Sequence, residues 1–221
     1  MELSKFFNKQ IFGSNFKLIS LMTALTAAML YTLSYQTAWA AVIYCPNTTP
    51  ECIGTSGDDV IIGASSQPYN SIQGLGGNDY IQGQSDNQNW LFGGDGNDIL
   101  IGDQGRDYME GGRGNDKYDG WYGDDSIVET SSFNGIQGTL TNNDDIISGG
   151  EGDDFIISGE GFDRISGGPG ADSISLSNYN WRDFSADIVN CGEGIYDWVY
   201  AFHSSDGETA INCEHIIDYD R

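Results

Sequence analysis

Four aspartates, Asp98, Asp107, Asp116 and Asp125, stand nine residues apart. Each follows a glycine by two residues (Gly96, Gly105, Gly114, Gly123) and another by five (Gly93, Gly102, Gly111, Gly120). Asp59, Asp79, Asp154 and Asp172 keep this setting, the last two with Gly149 and Gly167 five residues before; Asp163 keeps the nearer glycine, and Asp145 follows an insertion and keeps neither. Glycine permits the positive φ and tight curvature of a turn. Carbonyl oxygens point into such turns, and the aspartate adds a carboxylate. An oxygen-only donor set suits Ca²⁺, which takes six to eight oxygens.

These residues need a scaffold that repeats at the same interval. Gly93–Val128 reads as four unbroken nine-residue units, with glycine first and fourth, aspartate sixth and a large apolar residue eighth: Leu100, Met109, Tyr118, Ile127. Three residues after each aspartate form a short strand whose middle side chain points inward. One unit cannot bury that side chain, whereas stacked units can. Thirteen units fit between residues 54 and 175. Those at 63–73, 83–92 and 138–148 carry insertions; Asn70, Asn89 and Asn134 replace aspartate, and Ile72, Leu91 and Ile136 keep the inward place. Segment 129–137 keeps the length but loses its glycines.

The pattern G-G-x-G-x-D-x-U-x resembles the RTX, or haemolysin-type, calcium-binding nonapeptide-repeat family. The resemblance implies an all-β fold, a right-handed parallel β-roll with two nonapeptides per coil. It also implies several Ca²⁺ ions between turns stacked on the same side. The implied metal residues are Asp59, Asp79, Asp98, Asp107, Asp116, Asp125, Asp145, Asp154, Asp163 and Asp172, with first-position Gly93, Gly111, Gly149 and Gly167. Six to seven coils at roughly 4.8 Å each make a roll about 30 Å long.

Alternate numbering of the units sorts the turns onto two edges. One edge receives Asp59, Asp79, Asp98, Asp116, Asn134, Asp154 and Asp172. The other receives Asn70, Asn89, Asp107, Asp125, Asp145 and Asp163, together with all three insertions. The first edge is therefore expected to carry the fuller row of ions. Ala41–Ile53 is expected to cover the first coil. Residues 176–221 are expected to form a C-terminal cap, with no ligation expected beyond Asp172.

Net charge is −24, from 33 acidic and 9 basic residues, which offers no basic surface to nucleic acid. Residues 1–40 read as a secretory signal: Lys5, Lys9 and Lys17, an apolar run from Leu18 to Tyr35, then Ala38-Trp39-Ala40 as cleavage site. An uncleaved membrane anchor is the competing reading; cleavage leaves no span. All four cysteines follow residue 40, so two disulfides are expected, with three possible pairings. Proximity favours Cys45–Cys52 and Cys191–Cys213, the second stapling the cap.

No HExxH, GxSxG or P-loop occurs, and the only histidines are His203 and His215. The repeat accounts for the abundant carboxylates without an acid/base pair. Ile62, Tyr80, Trp90, Phe92, Ile99, Ile101, Tyr108, Phe155 and Ile157 are expected to face outward. They are ordinary strand formers, or a surface for a cell-surface glycan or protein. The sequence thus reads as a secreted, non-enzymatic calcium-binding roll. The alternatives are an adhesion or matrix module scaffolded on the roll and, behind it, a polysaccharide-modifying enzyme.

Overall fold

The computed structural model describes residues 40–84, 88–129, 143–176, 186–202 and 207–218. The signal region up to residue 39, Asn134, Ile136 and His203 lie outside them. Eighteen strands follow one another: β1 (Val42–Tyr44), β2 (Glu51–Ile53), β3 (Val60–Ile62), β4 (Tyr69–Gly76), β5 (Tyr80–Gln82), β6 (Gln88–Asp95), β7 (Ile99–Gln104), β8 (Tyr108–Arg113), β9 (Lys117–Tyr122), β10 (Ser126–Val128), β11 (Ile146–Ser148), β12 (Phe155–Ile157), β13 (Arg164–Ser166), β14 (Ser173–Ser175), β15 (Ile188–Asn190), β16 (Trp198–Phe202), β17 (Thr209–Ile211) and β18 (His215–Asp218). Odd strands pair in one nine-stranded parallel sheet and even strands in another, so the chain is a parallel β-roll. Among the described residues no helix is long and apolar enough to cross a membrane.

The period of nine explains this arrangement. A unit supplies one turn and one strand, and the next unit returns to the opposite sheet. The middle residue of each strand enters the core: Ile61, Ile81, Leu100, Tyr118, Ile147 and Ile165 from one sheet, Ile72, Leu91, Met109, Ile127, Ile156 and Ile174 from the other, all at most 3% exposed. The segments expected as caps add strands to the same sheets, β1 and β2 at one end and β15–β18 at the other. Val189 and Val199 continue the core there. Cys45–Cys52 and Cys191–Cys213 are both bonded.

Two expectations are corrected. Strands β9 and β11 are direct neighbours, with Tyr118 opposite Ile147, and β10 pairs with β12, with Ile127 opposite Ile156. Among the described residues β11 is therefore the rung that follows β9, and twelve strands, not thirteen, lie between 54 and 175. This register sets Asp145 over Asp116. Ile157, expected outward, is 5% exposed, although it lies outside the core cluster.

Turns stack backbone on backbone. Gly96 has φ +144°, and a Cβ on it would strike the carbonyl of Gly77 in the coil before. Gly96→Ala is therefore expected to cost at least about 3 kcal/mol and to lower the melting temperature by roughly 6–12 °C. Calorimetry showing no decrease would contradict this packing.

Candidate metal centre

The sixth-position side chains form two columns inside the turns. In the first, Oδ1 of each aspartate accepts the backbone N–H of the aspartate one coil earlier. Asp59 donates to Asp79, Asp79 to Asp98, Asp98 to Asp116 and Asp116 to Asp145, each at 2.7 Å; Asp145 to Asp163 and Asp163 to Asp187 follow at 2.9 Å. The second column runs Asn89 to Asp107 at 2.7 Å, Asp107 to Asp125 and Asp125 to Asp154 at 2.8 Å, then Asp154 to Asp172 and Asp172 to Asp197 at 2.9 Å. Asp197 N–H donates in turn to the exposed Glu214.

Edge membership thus changes at residue 129. Asp145 and Asp163 join the column of Asp116, whereas Asp154 and Asp172 join that of Asp125. The first column is aspartate throughout, and the second begins with Asn70 and Asn89. Asp187 and Asp197, on which no ligation was expected, extend both columns and are fully buried. Their signal in the sequence is the strand after each, Ile188–Asn190 and Trp198–Phe202, with a valine inward.

One carboxylate oxygen is used by this ladder and the other is left over. The Oδ2 atoms of Asp79, Asp98, Asp107, Asp116, Asp125, Asp145, Asp154, Asp163 and Asp172 are buried without a hydrogen-bond partner. First-position glycines make room for them. A Cβ on Gly93 would collide with Asp98 Oδ2 and lie 2.6 Å from the Gly111 carbonyl oxygen. A Cβ on Gly149 would meet Asp154 Oδ2 and the Gly167 carbonyl in the same way; on Gly167 it would meet Asp172 Oδ2 and the Cys191 carbonyl. At Gly111 the obstacles are Asp116 Oδ2 and the Tyr118 hydroxyl. A buried carboxylate oxygen beside a carbonyl, in a cradle that tolerates no side chain, fits a hard cation. Among the described residues no three His, Cys, Asp or Glu side chains close on one point. An ion here would draw on no more than two carboxylates, with backbone carbonyls completing its shell.

Burial dominates the electrostatics. It raises the carboxyls of Asp79, Asp107, Asp116 and Asp172 to about 6, Asp98 and Asp154 to about 7, and Asp125 and Asp145 to about 8. Asp163 reaches about 10. The ladder N–H groups oppose the shift without cancelling it. The two ion pairs of the described residues, Arg106–Asp124 and Arg113–Asp95, lie on the exposed surface.

Sequence reasoning read carboxylates only and so missed two amide devices. Asn70 Nδ2 donates to Asn89 Oδ1, and Asn89 Nδ2 to Asp107 Oδ1, both at 2.8 Å. The amides supply donors where the other coils leave an oxygen unanswered. At the fifth position the direction reverses: the backbone N–H of Asn97 donates to Asn78 Oδ1, and that of Asn115 to Asn97 Oδ1. The recurring Gly-Asn-Asp triplet was the available signal.

Four stretches of the chain, residues 70–87, 85–118, 92–127 and 140–175, match the model of the RTX calcium-binding nonapeptide repeat. No curated protein and no solved structure matches the chain.

Proposed function

From coils that are RTX calcium-binding nonapeptide repeats, we infer an exported, non-enzymatic protein whose roll folds as its turns take up calcium. The observation that carries this reading is the pair of buried columns with unpartnered Oδ2 atoms. Asp79, Asp98, Asp116, Asp145 and Asp163 would serve one edge, which Asp59 closes with its Oδ2 already accepting the Thr55 N–H. Asp107, Asp125, Asp154, Asp172 and Asp197 would serve the other, with first-position carbonyls such as those of Gly93, Gly111, Gly149 and Gly167. Bound calcium supplies positive charge between stacked turns, so its binding free energy becomes folding free energy. The chain's own part is to hold Oδ1 on the ladder and to aim Oδ2 into the glycine cradle. Residues 1–40 are assigned to export, with cleavage after Ala40.

Isothermal titration of calcium into the disulfide-bonded chain tests this. Several ions are expected, with dissociation constants of roughly 10⁻⁴–10⁻³ M, the range of extracellular modules. Asp98→Ala and Asp116→Ala, on neighbouring coils, are each expected to remove at least one ion and raise the calcium midpoint. No uptake at millimolar calcium, or uptake unchanged in both variants, would refute the reading.

A second reading rests on aromatic pairs of the even-strand sheet. Tyr69 and Trp90 meet edge to face at 5.1 Å, and Trp198 stacks on His215 at 4.1 Å. Such a surface suits a glycan or protein partner, and the roll would then be its scaffold.

A further inference from the structure

One coil departs from the others at its first position. The register Met109 to Ile127 places Glu129 beside Gly111 in the column of first residues, and Val128 to Ile157 places Ser158 next. Glu129 thus occupies the glycine place of the unit that holds Asp145. Where the other units make room for one carboxylate with a glycine, or in one case the small Ser158, this unit inserts a second carboxylate. Glu129 is fully buried. Its Oε2 accepts a hydrogen bond from the Tyr118 hydroxyl, which itself accepts the Gly111 N–H at 2.7 Å. Its Oε1 has no partner, and neither has Oδ2 of Asp145.

The surroundings are built for this substitution. Tyr118 is the one aromatic residue among the inward positions of units 54–175, and its hydroxyl reaches the turn only because it is longer than leucine or isoleucine. Asn143 stands at the fourth position of the unit, where glycine is usual. It is buried, accepts the Gly114 N–H at 3.2 Å and donates to the Gly112 carbonyl at 3.2 Å. Asp145 is the charged neighbour that acts most strongly on Glu129, and Asp116 acts in the same sense. The two ion pairs of the described residues lie on the exposed surface, so neither neutralises this turn. A buried pair of carboxylates, each with an unused oxygen and no ion pair among the described residues, is relieved by protons or by a bound cation.

We propose that Glu129 and Asp145 make their turn a two-carboxylate calcium site, distinct from the one-carboxylate turns and filled before them. The proposal rests on the reading that the turns bind calcium and adds which turn binds first. Ligand charge sets calcium affinity, and each added carboxylate within reach strengthens the attraction in a buried setting. The first class of ions should therefore bind at least about tenfold more tightly than the rest. Tyr118 lies on the site and marks it optically, because a phenol beside a bound lanthanide sensitises its emission.

The test is titration of the disulfide-bonded full chain with Tb³⁺ and, separately, with Ca²⁺. In the unaltered chain an early, tyrosine-sensitised Tb³⁺ component is expected before the main uptake. Tyr118→Phe should remove most of that early emission. Glu129→Gln should abolish the early class, so that all ions titrate together at the higher concentration. Glu129→Gly restores the residue found at ordinary turns and carries the same comparison should Glu129→Gln fail to fold. An early class that persists in both Glu129 variants, or early emission indifferent to Tyr118→Phe, overturns the proposal while leaving calcium binding by the turns intact. Absence of any uptake by the unaltered chain overturns both.

Discussion

In excess EGTA the chain is expected to lose most of its far-ultraviolet β signal and its cooperative melting transition, and to regain both on adding millimolar calcium. The reason lies in the columns. Nine aspartates from Asp79 to Asp172 bury an Oδ2 atom with no hydrogen-bond partner. The core gives only one inward side chain per nine residues to offset the ordering of each unit. Removing the partner of one buried charge costs about 3–5 kcal/mol, and the whole stability of a domain is about 5–15 kcal/mol. Loss of two or three ions is enough to unfold the central coils. The bonds Cys45–Cys52 and Cys191–Cys213 persist in EGTA and are expected to leave residual structure at the ends. A spectrum and melting temperature unchanged by EGTA would mean that the aspartates are structural ladder residues only.

Acid is expected to replace calcium in part. Burial raises the ladder carboxyls to between about 6 and about 8 along most of the roll, against about 4 in an unfolded chain. The cation-free fold therefore binds more protons than the unfolded chain. Its stability is complete below the unfolded value and is lost as pH rises through the folded values. Asp98 alone is raised to about 7, so burial disfavours its ionisation in the cation-free fold. In EGTA, β signal should return as pH falls from 8 to 5, which stays above the isoelectric point near 4.1. The gain in melting temperature from calcium should shrink over the same range, because protons and calcium compete for the same oxygens. Circular dichroism at fixed temperature across that range decides it. Further unfolding of the EGTA-treated chain on acidification would contradict the burial of these carboxyls.

Much of this was legible because the chemistry and the fold share one period. Glycine, aspartate and one apolar residue recur together, so Asp98 or Leu100 could be placed without coordinates. Legibility failed where the period was imitated or interrupted. Segment 129–137 has the right length and offers Asn134 and Ile136 in suitable places, so it passes for a unit. Only strand pairing shows that β11 follows β9. That miscount moved Asp145, Asp154, Asp163 and Asp172 to the wrong edges. Asp187 and Asp197 escaped because the segments before them do not keep the nine-residue spacing, although each still opens a strand. The amide ladder of Asn78, Asn97 and Asn115 escaped for a different reason: its residues touch backbone rather than an ion, and a search for carboxylates passes over them. Glu129 looked like a lost glycine; its burial against Tyr118 is a tertiary fact.

The most direct test is an anomalous difference map from crystals grown in calcium, collected at a calcium-sensitive wavelength. Two rows of peaks are predicted along the two turn edges, next to the Oδ2 atoms. One row should follow Asp79, Asp98, Asp116, Asp145 and Asp163. The other should begin only at Asp107, because Asn70 and Asn89 already satisfy their own turns. Turns without peaks in the presence of millimolar calcium, or peaks confined to exposed carboxylates outside the columns, would contradict the account.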